Sequence, residues 1–212
     1  MADTPKRRLF PHGGARRRRG QPSETLSEAQ CLRVLQASEK AAVVGRPLNR
    51  FITILWQRGG IEECAATTAT QKFLKLAGDW MRKRGEAFCW VYVHEWGPVN
   101  GAHVHLLMHV PSHLSSEFSR MRLRWVRHLL PSGYVTKTVD SKKLPGADAP
   151  DNVSAEVYRH SLLARLHYVL KAASPELEWK LGLTGHGRVR WGRYCRVFGQ
   201  RYGCWQGRAR PV

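Results

Sequence analysis

AFCWVYVHE (87–95), Trp96, the turn GPVNG (97–101) and AHVHLLMHV (102–110) decide the fold. Two runs rich in aromatic and β-branched residues flank a short stretch of Gly, Pro and Asn, which predicts an antiparallel hairpin. Alternate residues of a strand share a face, so His103 and His105 project together. Two imidazoles so placed can hold one divalent ion. Glu95 ends the first strand, and the short turn brings it near His103 as a hard oxygen ligand. His94 is the rival ligand, but strand neighbours point opposite ways, so only one of the two faces the pair. His109 shares the face yet lies four residues beyond His105, too far for a shared ion. The competing reading is a half-buried sheet face whose histidines hold no metal.

Upstream of the hairpin, residues 66–84 carry Phe73, Leu74, Leu76, Ala77, Trp80 and Met81 at helical spacing, with Gly85 as a stop. Before that, FITILW (51–56) reads as a buried strand ended by Gly59-Gly60, and Ser23 to Lys40 as a helix. Downstream, 114–130 reads as an amphipathic helix with Arg120, Arg122, Arg124 and Arg127 mostly outward. GYVTKTVD (133–140) is expected as a strand and 141–152, with Pro145, Gly146 and Pro150, as a loop. A last helix runs from Ser154 to about Ala173 and stops before Pro175. The order β-α-β-β-α-β plus a helix predicts an α+β fold. Its form is a ferredoxin-like or RRM-like antiparallel sheet of the split βαβ kind, with helices on one face.

That last helix carries RLHYVLKAAS (165–174). Tyr168 and Lys171 stand at i and i+3, so the ammonium can sit over the phenol. A cation there favours phenolate and makes Tyr168 a usable nucleophile toward phosphorus. The bland reading is an interfacial Tyr beside a surface Lys.

The chain has 212 residues and a formal charge of +19, from 35 Lys+Arg against 16 Asp+Glu. Such an excess points to a polyanionic partner, most simply nucleic acid. Residues 1–20 hold seven Lys+Arg and one acid, and 181–212 hold seven Arg and none, whereas 21–180 are composed like an ordinary domain. We therefore expect a basic, disordered arm at 1–22, a globular domain at 23–180 and an Arg- and aromatic-rich extension at 181–212. Arg16, Arg17, Arg18 and Arg19 suit phosphate contact, as do the four arginines of 114–130. Trp191, Tyr194, Phe198, Tyr202 and Trp205 suit either stacking on unpaired bases or a packed extension of the core. No apolar run approaches 18 residues, and the amino terminus shows no secretory signal. Five cysteines without a CxxC pair suit a reducing cytoplasm. His186, Cys195 and Cys204 fit no zinc module. No GxxxxGK[ST] phosphate loop is present, so no helicase is expected in this sequence.

FITILW, HVHLLMHV (103–110) and YVLK (168–171), in that order, resemble the three motifs of HUH endonucleases. They are closest in kind to the rolling-circle replication initiators (Rep proteins) of plasmids, phages and single-stranded DNA viruses. The resemblance covers roughly residues 48–174. It implies Mg²⁺ or Mn²⁺ held by His103 and His105, with Glu95 as third ligand, Tyr168 as nucleophile and Lys171 as its helper. The implied activity is nicking and joining of DNA through a 5′-phosphotyrosine. The implied partners are single-stranded or hairpin origin DNA and a separate helicase and polymerase, with no membrane. No second Tyr shares a helical face with Tyr168; Tyr158, ten residues earlier, is the fallback nucleophile. A relaxase or tyrosine transposase of the same superfamily, or a non-catalytic single-stranded nucleic-acid-binding module, are the alternatives.

Overall fold

The computed structural model describes residues 21–147, 152–183 and 196–206. Arg16 to Arg19, His186, Trp191, Tyr194 and Cys195 lie outside them.

Helix α1 (Glu28–Val43) starts at a reciprocal cap: the Ser27 hydroxyl accepts from the Gln30 amide while the Gln30 side chain accepts from the Ser27 amide. Strand β1 (Arg50–Ile54) follows, then α2 (Ala66–Arg82), β2 (Trp90–Gly97) and β3 (Gly101–Met108). Next come α3 (Ser115–Leu129), β4 (Val139–Lys143), α4 (Asn152–Val169), the short α5 (Pro175–Lys180) and β5 (Tyr202–Cys204). The strands form one sheet in the order β4-β1-β3-β2-β5, every neighbouring pair antiparallel. The expected α+β class and split βαβ core are therefore present, with β5 added beside β2.

Two apolar clusters flank the sheet. On one face Ile52, Ile54, Val104, Leu106 and Met108 pack against Phe73 and Trp80 of α2 and Phe118 and Trp125 of α3. On the other, Phe51, Val91, Val93 and Leu107 pack against Val34 of α1 and Leu166 and Val169 of α4. The expectation of helices on one face holds for the two core helices α2 and α3 and must be corrected for the molecule. The cause is legible in β1 and β3, whose residues are apolar at both odd and even positions: a strand of that kind needs cover on both sides.

The fourth strand lies later than 133–140. Pairing runs from Ile54 with Val139 to Arg50 with Lys143, so residues read as the start of a loop complete the strand. Thr138 ends a turn in which its amide and hydroxyl both bond the Val135 carbonyl, and Lys137 takes φ 65°. That geometry cannot continue a strand.

Beyond residue 195, Val197 bridges Ser23 and β5 covers the outer edge of β2. Arg201 is buried; its Nε donates to Ser23 Oγ at 2.8 Å and its Nη2 to the Ser23 carbonyl. Trp205 Nε1 donates to the Ala37 carbonyl and Arg33 donates to the Tyr202 hydroxyl. Tyr202 and Trp205 thus pack on the domain, as a built-on extension would. Among the described residues no helix is long and apolar enough to cross a membrane.

Candidate metal centre

The hairpin register sets Glu95 directly opposite His103 and Val93 opposite His105, while β1 sets Thr53 opposite His105. Glu95, His103 and His105 consequently share the α1/α4 face. One ligand atom from each lies within 4.8 Å of the others. The His103 and His105 Nε2 atoms stand 3.4 and 3.5 Å from Glu95 Oε2.

The surroundings aim the two rings. His103 Nδ1 lies 2.8 Å from the Gly101 carbonyl, an acceptor, so Nδ1 carries the proton and Nε2 presents its lone pair. Gly101 takes φ 59°, and a β-carbon there would collide with the Gln57 side chain, whose Oε1 accepts from the Ala102 amide at 2.9 Å. Only glycine fits that turn, and the turn orients His103. His105 Nδ1 is 2.9 Å from Thr53 Oγ1, and Phe51 stacks on its ring with centroids 5.5 Å apart. Backbone and hydroxyl partners of this kind hold metal-ligating imidazoles in other proteins.

His105 Nε2 and Glu95 Oε1 are buried with no hydrogen-bond partner. Burial pushes the His105 imidazole down, favouring the neutral, ligating form, although Glu95 opposes this. Burial would raise the Glu95 carboxyl, but His105, His103 and Lys171 outweigh it and hold it well below the usual carboxylate range. Two imidazole nitrogens and an ionised carboxylate converge on one point, and His105 Nε2 and Glu95 Oε1 have no other partner there, a donor set that fits a divalent cation. Imidazole nitrogen favours Mn²⁺ or Zn²⁺ over Mg²⁺.

Helix α4 ends at Val169 rather than near Ala173, so its last turn brings Tyr168, and the turn just beyond it Lys171, to the same place. The Tyr168 ring stands edge-on to His105, centroids 5.0 Å apart, and 6.1 Å from Phe51. Lys171 Nζ sits 3.7 Å from the Tyr168 centroid and 2.8 Å from Glu95 Oε2. Its ammonium is stabilised, since Glu95 and Tyr168 outweigh the effect of burial. Glu95, His103, His105, Tyr168 and Lys171 are thus one constellation.

Other candidates fall elsewhere. His94 lies on the α2/α3 face beside Tyr92, its imidazole pushed down to about 3 by burial above all and then by His103. His109 Nδ1 is 2.8 Å from the Pro47 carbonyl. The Tyr158 hydroxyl donates to the Leu48 carbonyl at 2.9 Å, and burial raises the phenol to about 12. Arg120, Arg124 and Arg127 are exposed on α3, on the sheet face opposite the cluster; Arg127 stacks over Tyr134. Arg122 is half-buried rather than outward.

Sequence reasoning missed Thr53, Phe51, Gln57 and Gly101. Thr53 could have been found: it is the one polar side chain among the β-branched and aromatic residues of FITILW. The Gln57 contact could not, because it joins a turn after β1 to the hairpin tip.

No protein-family model matches the chain, and no curated protein matches it. Among solved structures it is similar to the N-terminal nuclease domain of non-structural protein 1 of minute virus of mice. That domain is described by a unique Zn²⁺ coordination in its active-site pocket and a novel mode of DNA recognition at the origin of replication. The identity is 13% and the TM-score 0.28, over 66% of this chain and 52% of that one, so the chain spans about half the length of that structure. At such a TM-score the likeness carries no weight for fold or function.

Proposed function

We propose that this protein is a metal-dependent DNA-nicking and joining enzyme of the HUH kind, acting through a 5′-phosphotyrosine to initiate rolling-circle replication. The observation that carries the reading is the meeting of Tyr168 and Lys171 with Glu95, His103 and His105, from a helix and a hairpin more than sixty residues apart. An incidental histidine pair on a binding sheet would need neither an ionised buried carboxylate nor a tyrosine against the same ring.

His103, His105 and Glu95 would hold the divalent ion, Mn²⁺ or Mg²⁺. Once bound, it supplies Lewis-acid withdrawal of charge from a non-bridging phosphate oxygen. Tyr168 Oη attacks phosphorus; the bond to the 3′-oxygen breaks as the tyrosyl–phosphorus bond forms. The 3′-oxygen leaves as a hydroxyl, taking up a proton to balance the one the phenol gives up. Lys171, kept protonated by Glu95, favours the phenolate as it develops. The phosphodiester energy is retained in the adduct, so the 3′-hydroxyl can reverse the step and rejoin the strand. Single-stranded or hairpin origin DNA is the substrate, with the basic arm at 1–22 on its backbone. Unwinding and extension fall to separate proteins.

Incubation with pooled single-stranded and hairpin DNA plus Mn²⁺, Mg²⁺ or Zn²⁺ tests this on a denaturing gel. A covalent protein–DNA adduct that disappears with chelator and in Tyr168→Phe is expected. An adduct that persists in Tyr168→Phe overturns the assignment.

A further inference from the structure

We propose that Arg50, Ser115, Arg122 and Ser141 form a site for the oxyanion of a phosphate group, on the sheet face opposite Glu95. Arg50 opens β1 and is 8% exposed. By alternation with Phe51 its side chain lies on the α2/α3 face, where its Nη2 donates to Ser115 Oγ. Ser115 begins α3 and Arg122 lies two turns further along the same stripe. Across the sheet, Arg50 pairs with Lys143 and Ile52 with Ser141, so Ser141 is the diagonal neighbour of Arg50 on that face.

What marks this cluster is unanswered polarity. Arg50 Nε, Arg122 Nε, Arg122 Nη1 and Ser141 Oγ are all buried with no hydrogen-bond partner. Three of the four are positively charged donors. Neither arginine has an ion pair among the described residues. Asp140 attracts Arg122 through space, but its own ion pair, at 3.7 Å, is with Lys142. Glu117, the acid in the first turn of α3, is taken by Arg84 and Trp80. Burial lowers the Arg50 guanidinium, and the like charge of Arg122 lowers it further.

Two guanidiniums brought together out of water without a carboxylate are costly by themselves. Their planar forks match the oxygens of a phosphate, which accepts from several donors at once. The start of α3, where no side chain caps the helix, adds a favourable dipole. Ser115, Arg122 and Ser141 are only partly buried, so the cluster borders solvent. The oxyanion is either free phosphate or the backbone of a nucleic acid, and the chain's excess of +19 suits both.

Thermal unfolding of the full chain in inorganic phosphate and in chloride, at equal ionic strength, tests the site. Phosphate is expected to raise the wild-type midpoint and chloride is not. Arg122→Met, freed of an unpaired charge, should be no less stable in chloride and should bind phosphate at least about tenfold more weakly. Ser141→Ala, a milder change, should weaken it in the same direction should Arg122→Met fail to fold. A single-stranded oligonucleotide without terminal phosphates separates the sources. If Arg122→Met also weakens its binding and flattens the salt slope by about one, the site holds backbone phosphate. If oligonucleotide affinity is unchanged, the site holds the free anion. No phosphate-specific stabilisation of wild type, or one that survives in both variants, overturns the proposal.

Discussion

Lys171 Nζ lies 2.8 Å from Glu95 Oε2 and 3.7 Å from the centre of the Tyr168 ring, so one ammonium serves both the candidate metal ligand and the candidate nucleophile. Side-chain exposures of 23% for Lys171 and 9% for Glu95 place the pair largely out of water.

Lys171→Met strands the Glu95 carboxylate and should cost about 2–3 kcal/mol, toward the low end for a broken buried pair because Lys171 keeps some solvent. A divalent ion at Glu95 would replace the lost charge. Urea unfolding with and without Mn²⁺ should therefore show a larger metal-dependent gain in Lys171→Met than in wild type. Equal gains in the two proteins would detach the ion from Glu95.

Glu95 also predicts an acid limb. Its carboxyl is held well below the usual range in the folded chain and titrates normally in the unfolded one. The folded state thus gains stability above about pH 4.5, and that gain drains away as pH falls through the depressed value. Glu95→Gln removes the titration. Its stability should be lower at pH 7 and should fall less steeply below pH 4.5, as read by urea midpoints from pH 3 to 7. Parallel curves would refute the assignment.

The two tyrosines of α4 should separate cleanly. Tyr168→Phe is expected to abolish adduct formation with little change in stability. Tyr158→Phe should leave the adduct and cost about 1 kcal/mol, the worth of its bond to the Leu48 carbonyl. Loss of adduct in the folded Tyr158→Phe protein would reassign the nucleophile.

Arg201→Met tests the C-terminal clasp. Removing both bonds to Ser23 should cost roughly 2–3 kcal/mol, since charged hydrogen bonds with buried partners are involved. Calorimetry checks this; a loss under half a kilocalorie would mean the segment rests on the domain without holding it.

The legible part of the molecule was the part with local causes. The hairpin, the His103–His105 pair and Glu95 follow from alternation and a short turn. Tyr168 follows from the helical pattern of α4, whereas Lys171 lies in the turn beyond its end, and only the fold brings the two to His105 and Glu95. The shift of β4 to Val139–Lys143 is hidden because VDSKK is polar, as an edge strand can be, while Val135, apolar and β-branched like a strand residue, opens a turn. Cover on both faces is implicit in Phe51 beside Ile52 and Leu107 beside Leu106, neighbours that must bury apolar surface on opposite faces of the sheet. Helical periodicity alone points Arg122 outward, whereas the fold leaves it half-buried.

The Ser23–Val197 bridge has a bearing on how the chain matures. Its hydrogen bond spans 174 residues, and β2 keeps a bare edge until Tyr202–Cys204 arrives to pair with it. During synthesis the other four strands emerge first, leaving an unpaired strand edge of the kind that invites intermolecular pairing. Closure by so distant a segment should make the last folding step slow relative to formation of the helices. Nascent chains halted before residue 202 are then the population most in need of chaperones.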